Sequence, residues 1–509
     1  MRISALADHP WELIMMNQLL SEFQIKDAGV SASLVITDFY MFNHQKSLVD
    51  TMRSASYFEI VDLEKLFVDW QLDVEALGDF DEILQFLANW ELENCTNRSL
   101  SEIERSNRFI FGYENDRFTY KVSRYWQKRI LRDSILWCED YLKRFKPDII
   151  ILIERANLIP NVLEVLCANR GIKVFTLMPS RIGDRWIVRQ DFGHGLGDFE
   201  YGRIFHSEIR PEFIQDAEVF SKNLSSIRKG AYHSLAFEIS ERYRLSNRHI
   251  ASQILRQIRD YCAALYGYVF IQPRVRSIKP IRRLEQNFFK VALFELQCML
   301  VRVLRISRIK AFGTLEIPST KYLFWALHAR PEGATIVAGH GLDEIDEIKR
   351  FAQLLNDGTK LLIKENPIMF GRRNRGFYKS LLKIPNVILA DPFLDTFDCI
   401  YSSIGVVGIS GTALLEAGMM GKNVLILGKP EFDRCSSFNG WDSAGEFLNH
   451  VQSSSSKNDQ QAFLRYAAYV FSISSSEDIG YPIYVERERF KSQAQRMATM
   501  IHSRLKLEQ

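Results

Sequence analysis

The segment from Gly408 to Gly428 constrains the fold of this 509-residue chain more than any other part of it. Its letters, Gly408-Ile-Ser-Gly-Thr-Ala-Leu-Leu-Glu-Ala-Gly-Met-Met-Gly-Lys-Asn-Val-Leu-Ile-Leu-Gly428, predict a strand end, a loop of small residues, a short helix and a second buried strand. Ser410, Gly411 and Thr412 lie where the loop becomes the helix. Free backbone N–H groups and the positive end of the helix dipole favour an anion such as phosphate there, although the same residue types also serve as ordinary helix caps.

Glu416 follows Thr412 by one helical turn, and helical side chains lean toward the N-terminus of their helix. We therefore expect its carboxylate to share a pocket with the bound anion, where it suits a sugar diol better than a phosphate. A nucleotide carries both groups. The alternative is that Glu416 pairs with a neighbouring lysine.

The C-terminal third alternates short apolar runs with helical patterns, which predicts a parallel, doubly wound sheet. The predicted strands are Tyr322–Leu327, Lys360–Ile363, Asn386–Leu389, Val406–Ile409 and Asn423–Leu427. The predicted helices between them are Asp343–Leu355, Arg372–Leu382, Leu394–Cys399 and Ala413–Met420. Ligands of such sheets bind beyond the carboxyl ends of the strands.

The N-terminal half repeats this pattern less regularly, with strands predicted at Ala32–Thr37 and Tyr57–Val61 and a βαβ unit over 148–177. We expect an α/β protein with two Rossmann-like domains that face a cleft, a GT-B-like arrangement with a helical insertion. Epimerases and other nucleotide enzymes share that shape. The predicted divisions are 1–205 (acceptor domain), 206–315 (helical, basic and bridging), 316–480 (nucleotide-sugar domain) and 481–509 (C-terminal helix).

The composition is that of a globular protein in a reducing compartment. Hydrophobic residues make up 47% of the chain, and its seven cysteines are scattered without a CxxC pair. The first residues lack the pattern of a signal peptide, and no apolar run reaches the length of a membrane span. These features predict a cytoplasmic protein.

Residues 273–310 form a strongly basic segment with a local net charge of +8 and interleaved apolar residues. Such a segment can rest on an anionic membrane surface, here the inner face of the membrane. It can equally be a helix that packs on the protein with a solvated cationic edge. No nucleic-acid partner is expected, because no nucleic-acid motif accompanies the charge.

Five motifs follow one another in the C-terminal third. They are Ala326-Leu-His-Ala-Arg-Pro-Glu332, Leu362-Ile-Lys-Glu-Asn-Pro367, Phe377-Tyr378, Pro385-Asn-Val387 and Ser410-Gly-Thr-Ala-Leu-Leu-Glu-Ala417. In order and spacing this region resembles bacterial capsule and surface-polysaccharide biosynthesis glycosyltransferases. Those enzymes include Kdo transferases and look distantly like bacterial sialyltransferases.

The resemblance implies transfer of Kdo or a related acidic sugar from a CMP donor to a glycan or glycolipid acceptor, with no further cofactor. It implies a nucleotide-sugar site formed by Glu332, Lys364, Asn366, Ser410, Gly411, Thr412 and Glu416. Asn366 stands where the family has a histidine, and asparagine cannot be cationic or act as a general acid. A UDP-sugar transferase, a sugar-nucleotide epimerase and a non-catalytic assembly protein therefore remain alternatives.

A GT-B enzyme usually takes its base or nucleophile from the N-terminal domain. Asp184 and Glu154 are the candidates there, and His328 is the candidate on the C-terminal side. Arg181 and Arg185 suit the carboxylate of an acidic sugar, because a guanidinium pairs with it in bidentate fashion. The loop that carries them can also be an ordinary surface salt-bridge loop. No metal is predicted, since a helix dipole and cationic side chains can stabilise a departing phosphate.

Overall fold

The computed structural model describes residues 1–36, 58–62, 80–103, 124–227, 255, 314–328, 338–453, 459–474, 494–502 and 505. Short interruptions within these ranges are 8–9, 27–28, 96–98, 101–102, 154–157, 184, 191–194, 196, 315, 340–341, 357, 367–368, 370–372, 374–375 and 393. The basic segment 273–310, for which a membrane contact and a helix packed on the protein are the two expected alternatives, lies outside the described residues.

The N-terminal sheet has six described strands. They are β1 (Arg2–Ala7), β2 (Ser31–Ile36), β3 (Phe58–Asp62), β4 (Ile149–Ile153), β5 (Lys173–Pro179) and β6 (Trp186–Arg189). Their spatial order is β3-β2-β1-β4-β5-β6. β6 runs antiparallel to β5, and the other neighbours are parallel. This is the Rossmann strand order, whose direction of winding reverses between β1 and β4.

Helices cover both faces of this sheet. They are α1 (Pro10–Lys26), α2 (Phe80–Asn94), α3 (Arg124–Phe145) and α4 (Leu158–Arg170). Alternate residues of β1 divide between the two faces: Ile3 packs with Phe23 of α1, and Leu6 packs with the core beneath α2, α3 and α4. The sequence pattern missed β1 and α1, although β1 lies at the centre of the sheet. Arg2 and Ser4 interrupt its apolar run, so it lacks the signal of a fully buried strand.

The C-terminal sheet also has six described strands. They are β7 (Tyr322–Ala326), β8 (Lys360–Lys364), β9 (Val387–Ala390), β10 (Gly405–Gly408), β11 (Val424–Ile426) and β12 (Phe438–Asn439). The spatial order is β12-β11-β10-β7-β8-β9, and all neighbours are parallel. The order again matches the Rossmann fold, with its reversal between β7 and β10. All five strands predicted in this region are confirmed, and β12 adds a sixth.

The helices of the C-terminal part lie on both faces of this sheet and in the bridging region. They are α5 (Asp198–His206), α6 (Pro211–Ile227), α7 (Glu344–Ala352), α8 (Phe377–Leu382), α9 (Thr396–Ser402), α10 (Thr412–Met419), α11 (Ala444–Ser453) and α12 (Gln460–Ile473). Along β7 the side chains alternate: Leu323 and Trp325 pack toward α7 and α11, while Tyr322 and Phe324 join a core with α10 and α12. Burial of both faces explains the continuous apolar runs of the strands.

The carboxyl edges of the two sheets face each other. Arg181 follows the carboxyl end of β5 and donates a hydrogen bond to the carbonyl of Ser410, which follows the carboxyl end of β10. One hydrophobic core also continues across both parts, with Met178, Ile182 and Ile187 packed in the same cluster as Phe432 and Tyr466. The expected fold class, two Rossmann-like α/β domains in a GT-B-like arrangement, is confirmed.

The chain returns to the N-terminal domain at its end. Residues 494–502 are helical, and Ala494, Met497, Ala498 and Ile501 are buried in the same core as Ile3 and Phe23. In the described part of the chain, no helix combines the length and apolar character needed to cross a bilayer.

Candidate functional site

The candidate site lies at the carboxyl edge of the C-terminal sheet, where β7 and β10 are neighbours and the winding reverses. His328 follows β7, Lys364 ends β8, and Ser410 follows β10. The pairing of Ala326 with Lys364 and the hydrogen bond from Leu327 N–H to the Lys364 carbonyl (2.8 Å) hold the first two strand ends in register. Ligands of open α/β sheets bind at this position.

The N-terminus of α10 presents backbone donors at this point. Gly411 is the N-cap residue, and no side chain caps the helix. Among the described residues, no group accepts a hydrogen bond from the N–H of Gly411 or of Thr412. The predicted loop-to-helix geometry of Ser410, Gly411 and Thr412 is thus observed. The N–H groups of Gly411 and Thr412 are two consecutive donors at the positive end of the helix dipole.

His328 packs against this helix start. A Cβ atom added to Gly411 would lie 3.1 Å from His328 Cε1, so the close approach of the imidazole favours glycine here. The backbone N–H of His328 donates to Glu344 Oε1 at 2.9 Å, which fixes the residue at the end of β7. The structure therefore brings His328 together with the predicted anion loop.

Lys364 and Glu416 form a buried pair of opposite charges beside the loop. They are 7% and 8% exposed, and neither side chain makes a hydrogen bond or an ion pair within 4.0 Å to another described residue. Burial raises the pKa of Glu416 to about 7, an effect that the charge of Lys364 opposes. Burial lowers the pKa of Lys364. The charges of four neighbours act in the opposite direction and raise it; they are Cys399, Glu365, Asp391 and Glu416.

Two buried charges without hydrogen bonds are costly unless a ligand supplies the missing partners. A phosphate would supply them for the ammonium, and hydroxyl groups would supply them for the carboxylate. The pair is therefore the feature of this edge that a purely structural helix cap does not require, and a binding role for it stays a prediction.

A second charged cluster beside it is already satisfied. Glu365 accepts hydrogen bonds from Arg373 Nε (2.8 Å), Arg373 Nη2 (3.0 Å) and the Tyr378 hydroxyl (2.9 Å). Arg373 Nη2 also donates to the His328 carbonyl at 2.7 Å. Burial alone would lower the pKa of Arg373, but the charges of Glu365 and Glu344 outweigh it and raise the pKa. This cluster ties the end of β7 to the end of β8.

Sequence reasoning missed the Arg373 cluster as a unit. Tyr378 was recognised as part of a motif, but the roles of Glu365, Arg373 and Glu344 depend on contacts between separate loops. The one available signal was Glu365, a carboxylate directly after a buried strand, which requires a cationic partner. Asn366 is partly buried, and its N–H donates to Glu365 Oε1 at 2.9 Å.

The two predicted arginines of the N-terminal domain have partners within the protein. Arg181 Nε lies 2.7 Å from Glu431 Oε1, and its Nη1 donates to the Ser410 carbonyl. Arg185 Nη1 donates to the Ser474 hydroxyl at 3.0 Å and stacks over Phe471. Contact of these arginines with an acidic sugar stays a prediction.

The remaining predicted site residues, Glu154, Asp184 and Glu332, lie outside the described residues. Their catalytic and binding roles stay predictions. Among the described residues, no group of three or more His, Cys, Asp or Glu side chains is placed to hold a metal ion.

The fold and the site together define a two-domain α/β protein of GT-B-like architecture, with two buried charges at the switch point of its C-terminal sheet. No protein-family model and no curated protein matches the chain.

Solved structures resemble it at low identity. A UDP-GlcNAc 2-epimerase from Neisseria meningitidis, bound to UDP-GlcNAc, is 12% identical, with 93% of this chain and 98% of that chain covered at a TM-score of 0.26. The β-Kdo 2,4 transferase KpsC from Thermosulfurimonas dismutans is 11% identical, with 62% and 78% covered at a TM-score of 0.32. At these TM-scores the superpositions carry no argument about function.

Proposed function

We propose that this protein is a nucleotide-sugar-dependent glycosyltransferase of bacterial surface-polysaccharide synthesis. Its donor is a CMP-linked acidic sugar such as Kdo, and its acceptor is a glycan or glycolipid at the inner face of the membrane. The observation that carries the proposal is the buried pair of Lys364 and Glu416 beside the N–H groups of Gly411 and Thr412, none of which has a hydrogen-bond partner among the described residues. The motif resemblance of the C-terminal third supplies the substrate class.

Each group of the pocket has a distinct task in this proposal. The N–H groups of Gly411 and Thr412 and the ammonium of Lys364 bind the nucleotide phosphate and stabilise the negative charge that develops when the sugar leaves. Glu416 accepts hydrogen bonds from the ribose hydroxyls. Asp184 or Glu154 activates the acceptor from the other domain, and the basic segment 273–310 contacts the membrane.

Nucleotide binding should release a proton from Glu416. With a pKa of about 7, its carboxyl group is partly protonated at neutral pH in the free protein. Two ribose hydroxyl groups donate hydrogen bonds to the ionised form, and in this proposal their effect exceeds the opposing charge of the phosphate, so the pKa falls on binding. We expect calorimetric titration with CMP at pH 7 to give a heat that depends on the ionisation enthalpy of the buffer.

The matched test compares Glu416→Gln with Glu446→Gln, a carboxylate exposed on α11. Loss of the buffer dependence and a weaker affinity are expected for Glu416→Gln alone. A 2′-deoxy nucleotide should lose affinity for the wild-type protein but not for Glu416→Gln. If neither CMP nor UDP binds the wild-type protein, the proposed function is wrong.

Turnover assays separate the rival activities on the same fold. A transferase consumes the donor sugar nucleotide only with an acceptor, whereas an epimerase or hydrolase converts it alone. Tight nucleotide binding without turnover of any donor would favour a non-catalytic assembly protein. Asn366 in place of histidine is the sequence feature that favours this alternative. Comparison of CMP-linked and UDP-linked donors identifies the nucleotide.

A further inference from the structure

The turn between β5 and β6 carries one arginine of the N-terminal domain into the donor loop of the C-terminal domain. Arg181 Nη1 donates to the Ser410 carbonyl, and its Nε forms an ion pair with Glu431 Oε1 at 2.7 Å. The side chains of Arg181 and Glu431 are only 10% and 1% exposed. One guanidinium thus bridges the two loops that follow β10 and β11.

The turn is built to hold this side chain in place. The Ser180 N–H donates to the Arg185 carbonyl at 2.7 Å, and the Ser180 hydroxyl pairs with both the N–H and the carbonyl of Ile182 at 3.2 Å. Arg181 has a φ of 60°, in the left-handed region that disfavours residues with a Cβ atom. Such a conformation persists where the surrounding contacts determine it, and it is frequent at functional positions.

The bridged carbonyl belongs to the same planar peptide unit as the Gly411 N–H. A donor that fixes the direction of the Ser410 carbonyl therefore also fixes the direction of that N–H. A cation on the carbonyl polarises the peptide unit and makes its N–H a stronger donor. Within the described structure this N–H has no acceptor, so it is available to an anion.

Glu431 orients Arg181 from the side of the C-terminal domain. Arg189 supports the same loop, because its Nη1 donates to the Glu431 carbonyl at 3.2 Å and its Nη2 to the Gly195 carbonyl at 3.1 Å. A buried ion pair adds little net stability, since the cost of removing both charges from water offsets their attraction. The pair therefore defines a geometry between the domains without locking them together.

We propose that Arg181 is a positioning residue of the donor site, which aligns the Ser410–Gly411 peptide for the anion while Glu431 aligns Arg181. This inference rests on the proposed function for the identity of the anion. Because Arg181 belongs to the N-terminal domain and Ser410 to the C-terminal domain, affinity for the nucleotide phosphate then depends on the contact between the two domains. It assigns Arg181 a task different from contact with the sugar.

The test measures the dissociation constants of CMP, UDP and inorganic pyrophosphate by calorimetry, together with denaturant unfolding. The variants are Arg181→Met, Glu431→Gln, the double variant of both, and Arg434→Met as the matched control. Arg434 is a partly exposed arginine of the same region, and it forms an ion pair with Asp198 of α5 at 2.6 Å.

Arg181→Met should be less stable than the wild-type protein, because it leaves Glu431 buried without its cation. The double variant removes both charges and should regain that stability. Its nucleotide affinity should remain about ten- to a hundredfold below that of the wild type, the effect of one lost hydrogen bond from a charged group. A purely structural role predicts instead that affinity and stability recover together.

Arg181→Lys sharpens the test, since a single ammonium cannot contact Ser410 and Glu431 with the fork of a guanidinium. We expect it to bind nucleotide as weakly as the double variant. Wild-type affinity in the double variant would overturn the inference. If CMP and UDP fail to bind the wild-type protein, the proposed function fails, and the pyrophosphate affinities alone then decide whether Arg181 positions the loop.

Discussion

The two sheets have the same strand order but differ at their carboxyl edges. In the C-terminal sheet, the switch point between β7 and β10 brings together the buried pair of Lys364 and Glu416 and backbone donors that lack an acceptor in the described part of the chain. In the N-terminal sheet, the described edge after β5 is occupied by contacts with the other domain, through Arg181 and Arg185. The same strand order thus carries buried charges at one edge and an interface at the other, so side chains and not strand order determine what each edge can do.

The same contrast exists within the C-terminal edge itself. Arg373, Glu365 and Tyr378 form hydrogen bonds with one another, whereas Lys364 and Glu416 form none through their side chains to any residue that the structure describes. We expect the first group to control stability and the second to control binding. The following variants test that division, from the largest expected effect to the smallest.

Arg373→Met should lower the free energy of unfolding by about 3–5 kcal/mol, because it leaves the buried Glu365 without its cation. Denaturant unfolding measures the loss. Arg350→Met is the control, since Arg350 is exposed and stacks 4.0 Å from the centroid of Trp441. It should cost less than about 1 kcal/mol. Equal losses in the two variants would contradict the structural role of the cluster.

Glu416 should make the protein less stable as the pH rises. The folded state holds a proton on this group up to a pKa of about 7, above the ordinary value of 4.5, so it binds more protons than the unfolded state between these values. Between pH 5 and 8 the free energy of unfolding should fall by about 2–3 kcal/mol more in the wild type than in Glu416→Gln. Parallel curves would contradict the burial of an unpaired carboxyl group, and Glu446→Gln should follow the wild type.

Tyr141→Phe tests the N-terminal sheet. The Tyr141 hydroxyl lies 2.7 Å from the Ser33 hydroxyl and also pairs with Ser4 beneath the sheet. The two serines lie 3.2 Å apart and keep each other as partners, so the variant should lose about 1 kcal/mol. Nucleotide affinity should not change, because these residues belong to the other half of the molecule. A loss of nucleotide affinity would show that the N-terminal sheet also controls binding at the C-terminal sheet.

Asp198→Asn should have the smallest effect. Its ion pair with Arg434 is short, at 2.6 Å, but Asp198 is 98% exposed. Exposed pairs contribute less than about 1 kcal/mol, and salt screens them. Unfolding at low and high ionic strength should show a small difference that disappears in salt. A larger effect would mean that this exposed ion pair contributes as much as the buried pair of Arg181 and Glu431.

Much of the C-terminal sheet could be predicted because its strands are buried on both faces. Continuous apolar runs such as Val406–Ile409 are the sequence signature of that environment, and the small residues after β10 mark the loop at the switch point. In the N-terminal sheet, β1 contains Arg2 and Ser4, and Ser4 is buried only because Tyr141 and Ser33 satisfy its hydroxyl. That network joins residues more than a hundred positions apart, which no local pattern contains.

In the candidate site, too, local residues could be predicted from the sequence and long-range contacts could not. Ser410, Gly411, Thr412 and Glu416 lie within two turns of chain, so their proximity follows from helix geometry alone. The partners of Arg181 could not be foreseen, because Ser410 and Glu431 reach it through the packing of one domain on the other. Glu431 carried no signal beyond being a carboxylate after a predicted strand.

The return of residues 494–502 to the first domain has a consequence for biosynthesis. The side chains of Met497 and Ile501 complete the apolar layer over Ile3 and Phe23. The N-terminal domain is synthesised first, but its core is complete only after residues 494–502 have been synthesised. Until then, the nascent N-terminal sheet exposes an apolar face while the second half is translated. A chain that stops before residue 490 would keep that face permanently uncovered and would be a natural client for chaperones.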